Sequence, residues 1–315
     1  MNNEVKNVGS PELRPLGNTG IQVTPLCYGC ASAYARDLIS DDTAVELFKK
    51  AYDLGIRFFD TAINYGKAED RIGLSLKKHN IDRGEIVIST KGGKKFVDGK
   101  WMQDINPKSI KENVDTSLKR MGIDYIDVLY LHGSGIQDLT DDVLECFAEL
   151  KQAGKIRACG ANTFDDDVIN YIIKTKCLDV VMLDYNVVKQ NREPQIKALY
   201  DNGIGVVAGQ ALAEGLFLSD LFKIRGKKDL WYLARTLGRK ASRELFFEAR
   251  KLSFMNRLKG YDGSQVALKY VIDNPYVASA AVGTCSFDHL QKNVDALAVD
   301  IPEDIKERIR KAAAK

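Results

Sequence analysis

Four residues of the kinds that move protons stand just past apolar runs. Asp60 follows Phe58 and Phe59, and Tyr65 comes five residues later. Lys91 closes the run Ile86 to Thr90, and His132 closes the run Val128 to Leu131. An ionisable side chain at the end of an apolar strand is unfavourable unless it is paired, so these four are expected to meet one another. A free tyrosine has a pKa near 10 and is a weak acid or base at neutral pH. An ammonium beside it favours the phenolate, and Lys91 can supply one. Asp60 can hold that lysine protonated, and His132 can orient an oxygen beside the tyrosine. Such a set protonates a carbonyl oxygen or deprotonates an alcohol. The hydride must come from elsewhere, and a nicotinamide is the usual source.

These residues need a frame that brings several strand ends to one face. Strand-like runs occur at Val23–Leu26, Ile56–Phe59, Ile86–Ser89, Ile126–Leu131, Ile156–Cys159, Val180–Leu183, Ile204–Ala208 and Val277–Val282. Helical patterns alternate with them. Thr43–Leu54 carries apolar residues at a 3.6-residue rhythm, with Asp41 and Asp42 at the capping position. Pro107–Met121 starts after Asn106 as its cap, with Pro107 in the first turn. Asp141–Ala153, Asp165–Thr175, Gln195–Asn202, Ser264–Ile272, Phe287–Ala296 and a helix from Pro302 complete the series. Gly154 and Gly203 stand where helices stop. The alternation predicts parallel strands with right-handed crossovers, and eight strands favour closure into a (β/α)₈ TIM barrel. An N-terminal hairpin around Gly17 to Gly20 precedes it; a doubly wound open sheet is the competing fold.

The chain has 315 residues, 45% hydrophobic and 28% charged, with a formal net charge of +3. Those proportions are globular, and that charge argues for neither nucleic acid nor membrane as partner. Residues 1–12 are polar and are expected to form a flexible tail; residues 13–315 are expected to form one barrel domain. No membrane-length apolar run or signal-peptide core is present, so a cytoplasmic location is expected. The expected assembly is a monomer or small homo-oligomer. The six cysteines lie in apolar segments and read as reduced structural thiols; Cys27 and Cys30 form a C-x-x-C pair, but no second pair follows at zinc spacing, so no metal site is expected. No G-x-G-x-x-G follows a strand. Asp98, Gly99 and Lys100 hint at a phosphate loop, but Trp101 stands where Ser or Thr belongs. After the seventh strand, 211–263 is too long for an ordinary connection, and 221–260 holds 12 Lys or Arg against 3 Asp or Glu. It reads as a basic helical insertion. Lys223, Arg225, Lys227 and Lys228 are candidates to close over a pyrophosphate.

The sequence resembles the aldo-keto reductase family. The resemblance rests on Gly55 to Gly66 with Asp60 and Tyr65, on Glu69 and Gly73, and on Ser89-Thr90-Lys91-Gly92. It continues through Leu129 to His132, Lys155 to Gly160, Tyr185-Asn186, and Gly283 with Asn293. It implies NAD(P)-dependent carbonyl reduction or alcohol oxidation on an aldehyde, ketone or sugar. Tyr65 would be the general acid, and Asp60, Lys91 and His132 would support it. Cofactor contact would fall to Asn162, Thr163, Met182, Gly209, Gln210, Leu212, Gly283, Thr284, Ser286, His289 and Asn293, with NADP expected and NAD as the alternative. Three positions depart from the family pattern. Asn162-Thr163 replaces Ser-Asn, Met182 replaces Gln, and Gly209 stands where an aromatic residue would stack on the nicotinamide. The stretch Gly283 to His289 has no Lys or Arg for a 2′-phosphate. Met182 and Gly209 keep one rival open, a non-catalytic dinucleotide-binding barrel acting as sensor or partner subunit; a Schiff-base chemistry on Lys91 is a second. Phe96 and Trp101 are candidate pocket walls.

Overall fold

In the computed structural model, which describes residues 12–213, Ala234 and 248–313, eight parallel strands close into a barrel. They are β3 (Leu26–Gly29), β4 (Phe58–Asp60), β5 (Val87–Gly92), β8 (Ile126–His132), β9 (Ile156–Asn162), β10 (Val180–Asp184), β11 (Gly205–Gly209) and β12 (Ser279–Val282). They pair in chain order, and β12 returns to β3 through Ala280 opposite Leu26. Side chains alternate along each strand, so Val87, Ser89 and Lys91 share the inner face of β5, as Val128, Tyr130 and His132 do on β8. The apolar members of the inner face pack with Cys27, Phe58, Ala158 and Val207 into a core inside the barrel. A larger core lies between the strands and the helices.

Helices α1 (Asp41–Asp53), α2 (Ala68–His79), α3 (Pro107–Met121), α4 (Asp141–Gln152), α5 (Asp166–Thr175) and α6 (Glu193–Asp201) supply the outer layer, followed by α7 (Gly263–Ile272), α8 (Phe287–Asp295) and α9 (Glu303–Ala313). The cap and Pro107 of α3 stand as expected: Asn106 accepts from Ser109 N at 3.0 Å. The cap of α1 is Ser40 rather than Asp41 or Asp42. Its hydroxyl accepts from Thr43 N, and both aspartates lie inside the first turn, where they favour the helix dipole.

The first strand also differs from the expected Val23–Leu26. Gln22–Val23 (β2) pairs antiparallel with Arg14–Pro15 (β1), and the barrel strand starts only at Leu26. Pro25 has no N–H to continue a ladder, and Thr24 Oγ1 turns back to donate to Leu26 O at 2.7 Å. The hairpin closes the N-terminal end of the barrel with Leu16, Ile21 and Val23, all buried.

A second hairpin was not anticipated. β6 (Lys94–Val97) and β7 (Lys100–Gln103) pair antiparallel after β5. Asp98 and Gly99 form its turn, at φ 49° and 79°. Two successive positive-φ residues of the type Asp-Gly are the signature of a tight hairpin, which is why this segment looked like a defective phosphate loop. The helical segment proposed for 221–260 lies largely outside the described residues; at its end, Arg250–Arg257 is a short 3₁₀ helix. Among the described residues, no helix is long and apolar enough to cross a membrane.

Candidate active site

The site starts from a buried ion pair. Asp60 ends β4 and Lys91 lies near the end of β5, both almost fully buried. Lys91 Nζ donates to Asp60 Oδ2 at 2.5 Å and to Thr61 O at 2.7 Å, and Ser89 Oγ donates to Asp60 Oδ1 at 2.8 Å. Burial pulls the lysine toward neutrality, but the adjacent Asp60 carboxylate together with Tyr65 outweighs it, and the pKa of Lys91 ends above the ordinary lysine value. The ammonium is thus kept charged in a low-dielectric floor, where both charges keep partners. It lies 5.0 Å from the centroid of the Tyr65 ring.

Tyr65 sits on the loop between β4 and α2, half-buried. That loop is pinned at its backbone. Thr61 N donates to Ser89 O, Ile63 N to Lys91 O, and Lys67 N to Ala35 O. Gly66 has φ 47°, and a Cβ there would come within 2.3 Å of Ala35 O, so only glycine fits. Beneath the loop lies Glu69, a buried carboxylate on α2. It accepts from Thr90 Oγ1 at 2.8 Å, Ser117 Oγ at 2.6 Å and Arg120 Nη1 at 3.1 Å. Arg120 Nη1 also donates to Ile63 O at 2.9 Å. The loop carrying Tyr65 is therefore fixed by both β5 and α3.

His132 closes the group. Its ring stands edge-on to Tyr65, with centroids 5.7 Å apart and planes at 83°. Burial, then the charges of Lys91 and Lys94, lowers its pKa to about 3, so the imidazole is neutral at physiological pH. Its Nδ1 lies 3.1 Å from Asn64 Oδ1. The structure brings Asp60, Tyr65, Lys91 and His132 together on one rim. Sequence reasoning missed the partners Asn64, Thr61, Ser89 and Arg120. Asn64 and Thr61 lay in the Asp60–Tyr65 stretch, but their partners depend on strand register.

The other expected residues lie on the remaining arc of that rim, from β9 to β12. Asn162 is in register with His132 on one side and Met182 on the other. Its amide donates to Met182 O at 3.3 Å, and Thr163 N donates to the same oxygen at 3.0 Å. Met182 fills part of the room left by Gly209: a Cβ on Gly209 would lie 3.5 Å from Met182 Cγ and 3.3 Å from Leu183 O. The departures at Met182 and Gly209 are thus neighbours. Gln210 follows with φ 54°, and its carbonyl accepts from Asn186 Nδ2. Leu212 is half-buried against the outer core. Beyond β12 the chain passes Gly283, and Thr284 O accepts from Tyr28 OH at 2.7 Å. Ser286 caps α8, which carries His289 in its first turn and a buried Asn293. Lys223, Arg225, Lys227 and Lys228 lie outside the described residues. The six cysteines are free thiols; burial, then the Asp60 charge, raises the pKa of Cys27 and Cys30, which suits inert structural thiols.

Comparison with known proteins places this geometry. The model of the aldo/keto reductase family matches residues 25–314. An uncharacterized oxidoreductase of Bacillus subtilis is 30% identical over 90% of this chain and 90% of its own length. L-galactose dehydrogenase of Arabidopsis thaliana is 27% identical over 91% of this chain and 88% of its own. An aldo-keto reductase from Bacillus halodurans, solved in a holo form, superposes with a TM-score of 0.79 at 28% identity, covering 96% of each chain. The chain belongs to the aldo/keto reductase family and is an NAD(P)H-dependent oxidoreductase.

Proposed function

We propose that this enzyme interconverts a carbonyl group and an alcohol, with Tyr65 as the proton donor and acceptor. The observation that supports this most directly is the buried, charged Asp60–Lys91 pair beside Tyr65, flanked by the neutral His132. Reduction leaves negative charge on the former carbonyl oxygen, which must take a proton. The Tyr65 hydroxyl is the group to give it, and the Lys91 ammonium stabilises the phenolate left behind. Asp60 holds that ammonium charged and in place. A neutral His132, edge-on to the Tyr65 ring, borders the same oxygen without adding a competing acid. A lysine kept protonated by a carboxylate is a poor nucleophile, which weighs against Schiff-base chemistry on Lys91.

The donors on the β9–β12 arc suit a nicotinamide dinucleotide. The Asn162 amide and Thr163 would meet the carboxamide. The hydroxyls of Thr284 and Ser286, with the N-terminus of α8, favour anionic phosphates. When bound, the nicotinamide supplies or accepts the hydride. Met182, Gly209, Gln210 and Leu212 would line its seat, and Gly283, His289 and Asn293 the far end. We assign NADP on the family resemblance and keep NAD as the alternative, because Gly283 to His289 offers hydroxyls and His289 but no lysine or arginine to a 2′-phosphate. The substrate is an aldehyde, ketone or sugar.

The test is titration of the protein with NADPH and NADH, followed by turnover on a panel of aldehydes, ketones and sugars. Tight binding of one cofactor with turnover supports the assignment. Binding without turnover on any carbonyl would return the reading of a dinucleotide-binding sensor or partner subunit.

A further inference from the structure

The β6–β7 hairpin stands on the same rim as the tetrad, and its register sorts its side chains. Lys94 faces Gln103 and Phe96 faces Trp101 across the two strands. Cross-strand partners and alternate residues share a face, so these four form one side of the ribbon. Gln103 shows where that side looks. Its Nε2 donates to Gly133 O at 3.4 Å, and Gly133 directly follows His132. Lys94 Nζ donates to Gln103 Oε1. The root of the ribbon is held firmly: Gly93 N and Lys94 N donate to Asn113 Oδ1 at 2.9 and 3.1 Å, and Asn113 Nδ2 donates to Lys94 O at 3.0 Å. Further out, Phe96 and Trp101 pack with centroids 5.3 Å apart, and Phe96 is 58% exposed.

The charges on the rim are uneven. Lys91 is neutralised by Asp60. Lys94 makes no ion pair among the described residues; its side-chain partner is the Gln103 amide oxygen. Burial draws its pKa below the usual lysine value, and its charge helps keep the proton off His132. An ammonium partly withdrawn from water, without a carboxylate beside it and next to an aromatic pair, is suited to an anion carried on an apolar body.

Resting on the function proposed above, we propose that the face Lys94–Phe96–Trp101–Gln103 recognises the substrate, that Lys94 binds an anionic oxygen group, carboxylate or phosphate, and that Phe96 and Trp101 contact the apolar part. The preferred substrates are then anionic carbonyl compounds.

The probes are 4-formylbenzoate against its neutral methyl ester, and 4-formylphenyl phosphate against 4-methoxybenzaldehyde. The readout is the ratio of kcat/KM within each pair. The wild-type protein should favour the anionic member by about tenfold or more, the scale of one charge-assisted hydrogen bond. A preference confined to one pair tells carboxylate from phosphate. In Lys94→Gln the ratio should fall toward one, and Lys94→Arg should restore much of it. Equal handling of both members by the wild-type protein overturns the proposal without any variant, and so does a preference that survives in Lys94→Gln. Absence of turnover on all four probes and across the wider carbonyl panel would instead count against the carbonyl–alcohol assignment itself.

Discussion

Replacing Tyr65 by phenylalanine removes one oxygen and keeps the ring, so it isolates proton transfer. Tyr65→Phe should lower turnover by roughly 10²–10⁴-fold while cofactor binding, followed by fluorescence, stays close to wild type. Near-native turnover would defeat the role given to this residue. His132 allows a test through stability. Its folded pKa is about 3 against an ordinary 6.5, so between those values the unfolded chain binds more protons. The contribution is fully present above the unfolded pKa and is lost as pH falls through that window, by at most about 5 kcal/mol. Urea unfolding of wild type and His132→Gln from pH 7 to pH 4 should therefore show the wild type losing more stability. Parallel curves would mean that His132 is not held neutral. At this scale the tetrad was legible, because an acid, a tyrosine, a lysine and a histidine behind apolar strands have few other uses. Asn64, Ser89 and Thr61 were not, because ordinary polar residues acquire meaning only when the register of β4, β5 and β8 places an atom at 2.7–3.1 Å.

Between single residues and the barrel lies the Glu69–Arg120 device, which joins α2, β5 and α3 to the loop of Tyr65. Glu69→Gln preserves shape but sets an amide or a lost charge against Arg120, so the grip on Ile63 O should loosen. A displaced proton donor loses rate rather than affinity, on the order of 10- to 100-fold in kcat. Cofactor affinity should hold, and Arg120→Lys should retain part of the rate, since an ammonium can replace at least one of the two contacts that Arg120 Nη1 makes. A rise in KM with kcat unchanged would assign Glu69 to binding instead. Elements with strong period were legible at this scale: α3 was expected with its cap and both ends in place. Helix α2 was not anticipated, since only Ala68, Ile72 and Leu76 mark its apolar side, and its cap residue Lys67 gives no capping side chain. The β6–β7 hairpin escaped because its strands are exposed and carry no apolar alternation, so Asp98 and Gly99 were its sole signal.

At the scale of the molecule, the two ends of the barrel divide the work. The N-terminal end is a plug, in which Leu16 packs so closely that a Cβ on Gly205 would meet its Cδ1 at 2.9 Å. Leu16→Ala should cost about 2–5 kcal/mol in urea unfolding while kcat and KM at room temperature stay near wild type. A large change in KM with unchanged stability would show that the plug communicates with the rim. The closed barrel was readable from eight alternating runs, whereas the break at Thr24-Pro25 was not, because Val23 of β2 and Leu26 of β3 stand only three residues apart and read as the two ends of one short strand. Closure itself has a consequence for how the protein is made. A ribosome has delivered all four tetrad residues once His132 emerges, yet β3 still has an open edge. Its partner β12 comes near the end of the chain, after the long segment that follows β11. Until Ser279–Val282 arrives, the part of the chain that carries the proposed tetrad is a sheet with one unpaired edge, exposed to the associations that open edges invite. The period of synthesis between His132 and Val282 is therefore when this chain most needs protection by chaperones, and a stop codon in that interval would release aggregating fragments rather than weak enzymes.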